Sequence, residues 1–183
     1  TDATGDVQFV IATGIDVTEE RRAQERSRLN EQRLMALVQL SDMSEAGLQQ
    51  ITDYVLEAAV ALTRSTIGYL AFANEDESVL TMHSWSHTAM QQCAMQNKPL
   101  VYPVEKTGLW GEAVRQRKPV ITNDYQAANP LKKGYPEGHV MVTRHMNIPV
   151  FDGGRIVIVA GVGNKEEPYD ESDVIQLRLL MDG

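Results

Sequence analysis

MNIPVFDGGRIVIVAGV (residues 146–162) is the stretch on which the fold turns. Met146, Ile148 and Val150 recur at every second residue, the period of a strand with one covered face. Asp152-Gly153-Gly154 supplies a turn, and residues 156–162 are apolar at consecutive positions, as a central strand covered on both faces must be. Working outward, two more apolar runs, residues 67–73 and 79–85, are joined by the five-residue loop Asn74-Glu75-Asp76-Glu77-Ser78 and predict a second hairpin. Leu48, Ile51, Val55, Ala59 and Leu62 follow a 3.6-residue period, an amphipathic helix facing a core. Between the hairpins the spacing predicts a helix over 86–95, a strand over 100–104, a helix over 108–117 with Leu109, Trp110 and Ala113 inward, and a strand over 120–123. Residues 125–140, rich in Pro, Gly and Asn, read as a long loop. Asp170 caps a last helix with Asp173 at its third position and Val174, Leu177, Leu180 and Met181 inward. The sum is an α+β domain over residues 44–183, one antiparallel sheet with helices packed on a face.

The stretch before residue 44 is different in kind. Residues 6–15 read as a strand whose partners are expected upstream of Thr1, and Asp16 or Thr18 can cap a helix beginning at Glu19. From residue 19 to residue 33 nine of fifteen residues are charged and only Ala23 and Leu29 are apolar. Leu34, Leu37, Val38 and Ser41 then restore a narrow stripe. The helix over 19–43 is therefore either a solvated linker or one half of a parallel homodimer seam. The chain opens without Met and stops within a helical pattern, so it is expected to be a piece of a larger protein.

Composition narrows the class. The 183 residues are 43% hydrophobic and 23% charged, ordinary for a globular chain. The longest apolar run falls far short of the roughly 20 residues that span a bilayer, and no signal peptide opens the sequence, so no membrane contact is expected within this stretch. A net charge of −8 is opposite to that of a nucleic-acid binder. A single cysteine, Cys93, cannot form a disulfide within the chain, which suits a reducing, cytoplasmic compartment.

GLWGEAVRQRKPVITND (residues 108–124), KKGYPEGH (132–139) and GVGNKEEPYDESDV (161–174) make residues 44–183 resemble a GAF domain of the type found in bacterial and archaeal sensor histidine kinases. GDVQFVIATGIDVTEERRAQE (residues 5–25) is similar to the last strand and exit helix of a PAS domain, with Asp16 and Thr18 carrying the match. The resemblance implies a division into a PAS remnant (1–18), a signalling helix (19–43) and a GAF domain (44–183). It implies a regulatory sensor domain of a two-component system, non-catalytic itself, that binds a small molecule and passes the signal through flanking helices to a downstream kinase domain of the same chain.

Several residues are candidates for the ligand. Thiolate and imidazole are soft and intermediate iron ligands, so Cys93 and His139 are the candidate cofactor-binding pair. His139 lies on the long loop, which in GAF domains covers the ligand cavity. Met82, Met90 and Met95 near Cys93, and Met141 and Met146 after His139, supply adaptable apolar surface for a flat macrocycle. Similar sensor GAF domains include haem binders, so the resemblance implies haem, held through iron by Cys93 or His139 or through a thioether to Cys93. The rest of the pocket is assigned to Trp85, Trp110, Asn123, Asp124 and Met146. A lone Cys is also a small buried hydrophobe, and a loop His a hydrogen-bonding group. Asn164, Lys165, Tyr169 and Asp173 resemble part of the motif of cyclic-nucleotide-binding GAF domains, with Tyr169 and Val174 departing from it. An unliganded GAF module that only dimerises is the remaining alternative. His83 and His87, four apart, straddle a strand-to-helix transition that keeps them from one helical face, and His145 reads as structural.

Overall fold

The computed structural model describes residues 4–5, 14–94, 100–134 and 137–183. In chain order the elements are α1 (Thr18–Asp42), α2 (Leu48–Leu62), β1 (Ile67–Ala73), β2 (Val79–Trp85), α3 (His87–Gln92), β3 (Val101–Pro103), α4 (Glu112–Gln116), β4 (Val120–Thr122), β5 (His145–Asp152), β6 (Arg155–Gly163) and α5 (Glu171–Met181). Two 3₁₀ turns, Val104–Lys106 and Leu109–Gly111, lie between β3 and α4. The six strands form one sheet in the order β3-β2-β1-β6-β5-β4, each adjacent pair antiparallel. β6 is thus interior to the sheet, as its unbroken apolar run requires. The β5–β6 hairpin closes through Gly153 and Gly154, whose φ values of +55° and +85° are those a tight two-residue turn demands.

Pleat alternation divides the molecule into two layers. Met146 and Ile148 of β5, Ala160 and Val162 of β6 and Leu70 of β1 face α2 and α5, where they meet Leu56, Ala59, Leu62, Leu177 and Leu180. α2 lies close against the sheet because Gly68 has no side chain: a Cβ there would stand 2.8 Å from Val60 Cγ2 and 2.9 Å from Leu56 Cδ1. On the opposite face Ala71, Leu80, Ile156 and Val159 pack under Val104 and Val114, while Ile67, Ala89, Leu109, Tyr125 and Val142 form a separate cluster. α2 and α5 cover one face of the sheet, with α1 packed on them, and short helices and loops cover the other.

α1 begins where Asp16 accepts the Thr18 N–H (2.9 Å); hydrogen bonds from the Thr18 side chain and then its backbone hold the Asp16 carboxyl below its usual range. Of the strand expected at 6–15, residues 6–13 lie outside the described residues, and Ile15 is exposed. The apolar stripe expected on this helix is divided between the core and the surface. Leu37 packs with Ala36 and Leu40 onto the core of the domain, whereas Leu34, Met35 and Val38 form the exposed stripe. α1 runs antiparallel to α2, shown by Tyr54 against the Ala36 carbonyl and by the Arg64–Glu25 ion pair. It runs parallel to α5, shown by Arg33 donating to Gln176 (2.8 Å) and by Gly183 lying against Leu37.

Two expected elements are shorter than their sequence pattern. The helix expected over 86–95 is only His87–Gln92, capped by the Ser86 hydroxyl, and Cys93 is extended (φ −88°, ψ 111°); Met95 lies outside the described residues. The helix expected over 108–117 starts as a 3₁₀ turn and ends at Arg117 in the left-handed region (φ 53°).

Candidate functional site

A cavity of about 300 Å³, at the small end of the range for ligand sites, lies between the sheet and the loop over residues 125–142. Its floor is the face of the sheet away from the long helices: Ile67, Tyr69, Met82, Trp85, His145, Asn147, Gly161 and Gly163. Trp110, on the second 3₁₀ turn, forms a side wall, edge-on to both Tyr69 (5.8 Å between centroids) and Tyr102 (5.1 Å). Such perpendicular aromatic pairs fix ring planes and leave flat apolar surface toward the interior. Lys106, Lys133 and Gly134 join the lining from the turn and the loop.

Local chemistry explains why the Trp110 turn is rigid. Arg115 donates to Glu112 Oε1 (2.5 Å), to the carbonyls of Val104 (2.6 Å) and Gly108 (2.7 Å), and to Thr107 Oγ1 (2.9 Å). A Cβ on Gly111 would overlap the Thr107 side chain, so this position admits only glycine without rearrangement. The loop is tied down equally well. Lys132 Nζ donates to the Tyr125 carbonyl (2.6 Å) and stands over the Tyr125 ring (5.0 Å), and Lys133 Nζ donates to the Glu105 carbonyl (2.6 Å).

Cys93 and His139 both line this cavity. They are brought together by one backbone bond, from the Ala94 N–H to the Gly138 carbonyl (2.9 Å), which joins the segment after α3 to the loop. His139 Nδ1 lies 2.6 Å from the Val140 carbonyl, which can only accept, so Nδ1 carries a proton and Nε2 is the nitrogen that a metal-ligating form of this ring would use. Trp85 and Trp110 line the same cavity.

Three residues assigned to the pocket are elsewhere, each for a definite reason. Met146 is fully buried on the helix side of the sheet, because alternation along β5 sends it away from its neighbours His145 and Asn147. Asn123 exchanges both of its amide groups with the Tyr169 backbone (2.9 and 2.7 Å), stapling the end of β4 to the chain before α5. Asp124 accepts the N–H groups of Gln126 and Ala127 (3.1 and 3.0 Å), an Asx-type turn that starts the loop.

The residues resembling a nucleotide motif are engaged internally and lie outside the cavity lining. Asn164 (φ 60°) bridges the Thr143 N–H and the Met141 carbonyl (2.8 and 2.7 Å), Lys165 pairs with Asp173 (2.7 Å), and the Tyr169 hydroxyl bonds Ser65 (2.6 Å). His83 packs against Phe72, and His87 accepts from Gln91. Among the described residues no cluster of three or more His, Cys, Asp or Glu side chains is arranged to hold a metal ion.

The cavity also has a polar floor of Tyr69, Asn147 and His145, of which the sequence marks only His145, and that as structural. The Tyr69 hydroxyl donates to Asn147 Oδ1 (2.8 Å), and the Asn147 amide lies 2.8 Å from His145 Nδ1. Gly161 makes this arrangement possible, since a Cβ there would overlap the Tyr69 ring and crowd Asn147 Oδ1. Burial lowers the His145 pKa to about 4 and pushes the Tyr69 hydroxyl far above its ordinary range, so both are neutral at pH 7. The alternation of Met146 and Ile148 carried the signal: whatever lies between core-facing residues of a doubly covered strand faces the other interior.

An antiparallel sheet with long helices on one face and a loop-covered cavity on the other is the architecture of GAF domains. The chain belongs to the GAF domain family, whose description matches residues 45–183. It is 60% identical over 179 residues to the methyl sulfide methyltransferase-associated sensor of Methanosarcina acetivorans; the match takes in 98% of this chain but only 18% of that protein's length. Among solved structures it resembles the GAF domain of a Coxiella burnetii phosphoenolpyruvate-protein phosphotransferase (TM-score 0.65, 17% identity, 82% of this chain and 89% of the other). It also resembles free methionine-R-sulfoxide reductase of Neisseria meningitidis (TM-score 0.62, 14% identity, 96% and 92%). At those identities the likeness is one of fold.

Proposed function

We propose that this chain is the haem-binding sensor domain of a signalling protein, with Cys93 and His139 as the residues that hold the cofactor. The observation that carries the reading is the Ala94–Gly138 backbone bond, which joins the segments carrying the chain's single thiol and the His139 imidazole where both line one cavity. Neighbouring backbones reach the same part of a flat macrocycle, so the two side chains divide the work. His139 Nε2 would hold the iron and the Cys93 thiol would hold the porphyrin edge, through a thioether whose formation by S–H addition to a vinyl group would need no oxidant. The flat walls of Trp110 and Tyr69 suit the macrocycle, and Lys106 and Lys133 suit the propionate carboxylates. Bound haem would supply an iron whose oxidation state and small-molecule ligation are the sensed variables. A cavity of about 300 Å³ would take part of a porphyrin and would leave an edge at the surface.

The kinship with a named sensor supports a role in signal transduction. We place the output in a histidine kinase domain of the parent protein, the compartment in the cytoplasm, and a second copy of the chain against α1. The exposed Leu34, Met35 and Val38 favour that dimer, and no helix among the described residues is long and apolar enough to cross a membrane.

Titration with haemin tests the cofactor. The wild-type chain is expected to give a saturable one-to-one Soret band, shifted in His139→Ala, and a denatured mass raised by one haem that Cys93→Ala abolishes. A band indifferent to both substitutions would defeat the reading.

A further inference from the structure

The residues resembling a nucleotide motif lie outside the cavity lining, yet they join the cover of the cavity to α5. The loop over 125–142 is drawn in at its neck by the Tyr125 N–H, which donates to the Thr143 carbonyl (2.9 Å). Both ends of the loop are fastened to one stretch of chain, residues 164–170, between β6 and α5. At its start Asn123 exchanges two hydrogen bonds with the Tyr169 backbone (2.9 and 2.7 Å). At its end Asn164 donates to the Met141 carbonyl (2.7 Å) and accepts the Thr143 N–H (2.8 Å), holding the loop just beyond His139. The same stretch is fastened to α5. Lys165 Nζ lies 2.7 Å from both carboxylate oxygens of Asp173, which also accepts the Asp170 N–H (3.0 Å). Asn164 stands at the middle of this path with φ at 60°, a left-handed backbone uncommon outside glycine and best tolerated by short polar residues such as asparagine. The far end of the path is stiff, since Tyr169 and Asp173 are both buried. The floor of the cavity is a continuous six-stranded ladder, so the loop is its yielding wall, and a molecule held beneath the loop acts on the loop's position.

We propose that Asn164 couples the cavity to α5: a ligand held under the loop steadies the first turn of α5, and loosening of that turn weakens ligand binding. The inference rests on the sensor reading above for the role of the cavity, and not on which residues hold haem. Linkage requires the effect to run in both directions.

Hydrogen exchange read by mass spectrometry on the 183-residue chain, without and with saturating haemin, tests the coupling. In the wild type haemin is expected to slow exchange over residues 171–176 about fivefold, the low end of ordinary couplings, although α5 does not line the cavity. Asn164→Gly keeps the left-handed backbone and removes the side-chain bonds. In that variant saturating haemin is expected to leave α5 unchanged, and haemin affinity to fall by about the same factor. An α5 response in Asn164→Gly equal to that of the wild type overturns the proposal while leaving the haem reading intact, and so does a saturated wild type whose α5 is unmoved. A second arm needs no ligand. Asp170→Ala removes the cap of α5 and frays its first turn. Exchange over residues 137–143 is expected to quicken when Asp170→Ala is made in the wild type, and to stay as it is when Asp170→Ala is added to Asn164→Gly. A loop indifferent to Asp170→Ala in the wild type overturns the coupling. Failure of the wild type to take up haemin defeats the haem reading and leaves this second arm to decide the coupling. Circular dichroism confirms that each variant folds.

Discussion

Burial of the His145 imidazole couples the cavity floor to pH. Its pKa of about 4 lies below the ordinary value of 6.5, so the unfolded chain takes up this proton at a higher pH than the folded one. The folded state therefore loses stability as pH falls from about 6.5 to about 4, by up to about 3 kcal/mol from this group alone. Denaturant unfolding at pH 7 and pH 4.5 is expected to show that loss, and His145→Gln to flatten this part of the slope. Gly161→Ala tests the floor in another way. The added methyl meets the Tyr69 ring, and overpacking of that kind destabilises by about 1–3 kcal/mol, which thermal melting would register as a fall of several degrees. Cys93 and His139 were legible as residues because their chemistry is rare in this sequence. Their adjacency was not, since it depends on a bond between Ala94 and Gly138, 44 positions apart, that no local pattern encodes. His145 and Asn147 were legible only through the register of β5, in which Asn147 lies between the core-facing Met146 and Ile148 and His145, two residues earlier, shares its face. Asn123 and Asp124 misled for the opposite reason: short polar side chains at a strand end satisfy backbone groups as readily as they bind ligands.

At the scale of elements, α5 is held by a small polar knot. Asp170 accepts the Ser172 N–H (2.8 Å), and hydrogen bonds to Ser172 hold the Asp170 carboxyl below its usual range. Asp173 accepts the Asp170 N–H (3.0 Å) and pairs with Lys165 (2.7 Å), whose side chain is only 13% exposed. Asp173→Ala is expected to cost about 3–5 kcal/mol, because it leaves that ammonium buried without its carboxylate; chemical denaturation would measure it. Lys165→Met, which removes the stranded charge in the same background, should recover part of the loss. The capping pattern Asp170…Asp173 was plain in the sequence, and so were β1 and β2, whose limits coincide with the apolar runs at 67–73 and 79–85. The middle of the chain was less plain. α3 stops at Gln92 so that the chain can extend at Cys93 toward the loop, and the Gly108–Gly111 turn tightens because Arg115 gathers the carbonyls of Val104 and Gly108. These are tertiary demands that override helical spacing.

At the scale of the molecule, the exposed apolar stripe of α1 predicts an assembly. Leu34→Glu with Val38→Glu is expected to convert a dimeric chain to a monomer in sedimentation velocity while leaving the domain folded, since both side chains are about 60% exposed. Unchanged sedimentation would place the apolar contact elsewhere. Leu37→Glu should instead destabilise the fold itself, as this side chain packs on the core beside Ala36. The sequence showed the stripe but could not apportion it, because Leu34, Leu37 and Val38 diverge by a fraction of a helical turn and only the position of α2 and α5 decides which of them turns inward.

The side-by-side, same-sense course of α1 and α5 has a mechanical meaning. Polypeptide joined ahead of Thr18 and polypeptide joined beyond Met181 would leave the domain at opposite poles along one axis, with the sheet and its cavity hung on the flank of that axle. Cargo carried on the flank does not interrupt the shaft; it loads it. A shift of the sheet against Leu177 and Leu180 would reach the axle as a sideways thrust or a twist, so rotation and bending, more than lengthening, are the motions through which such a domain could speak to its neighbours.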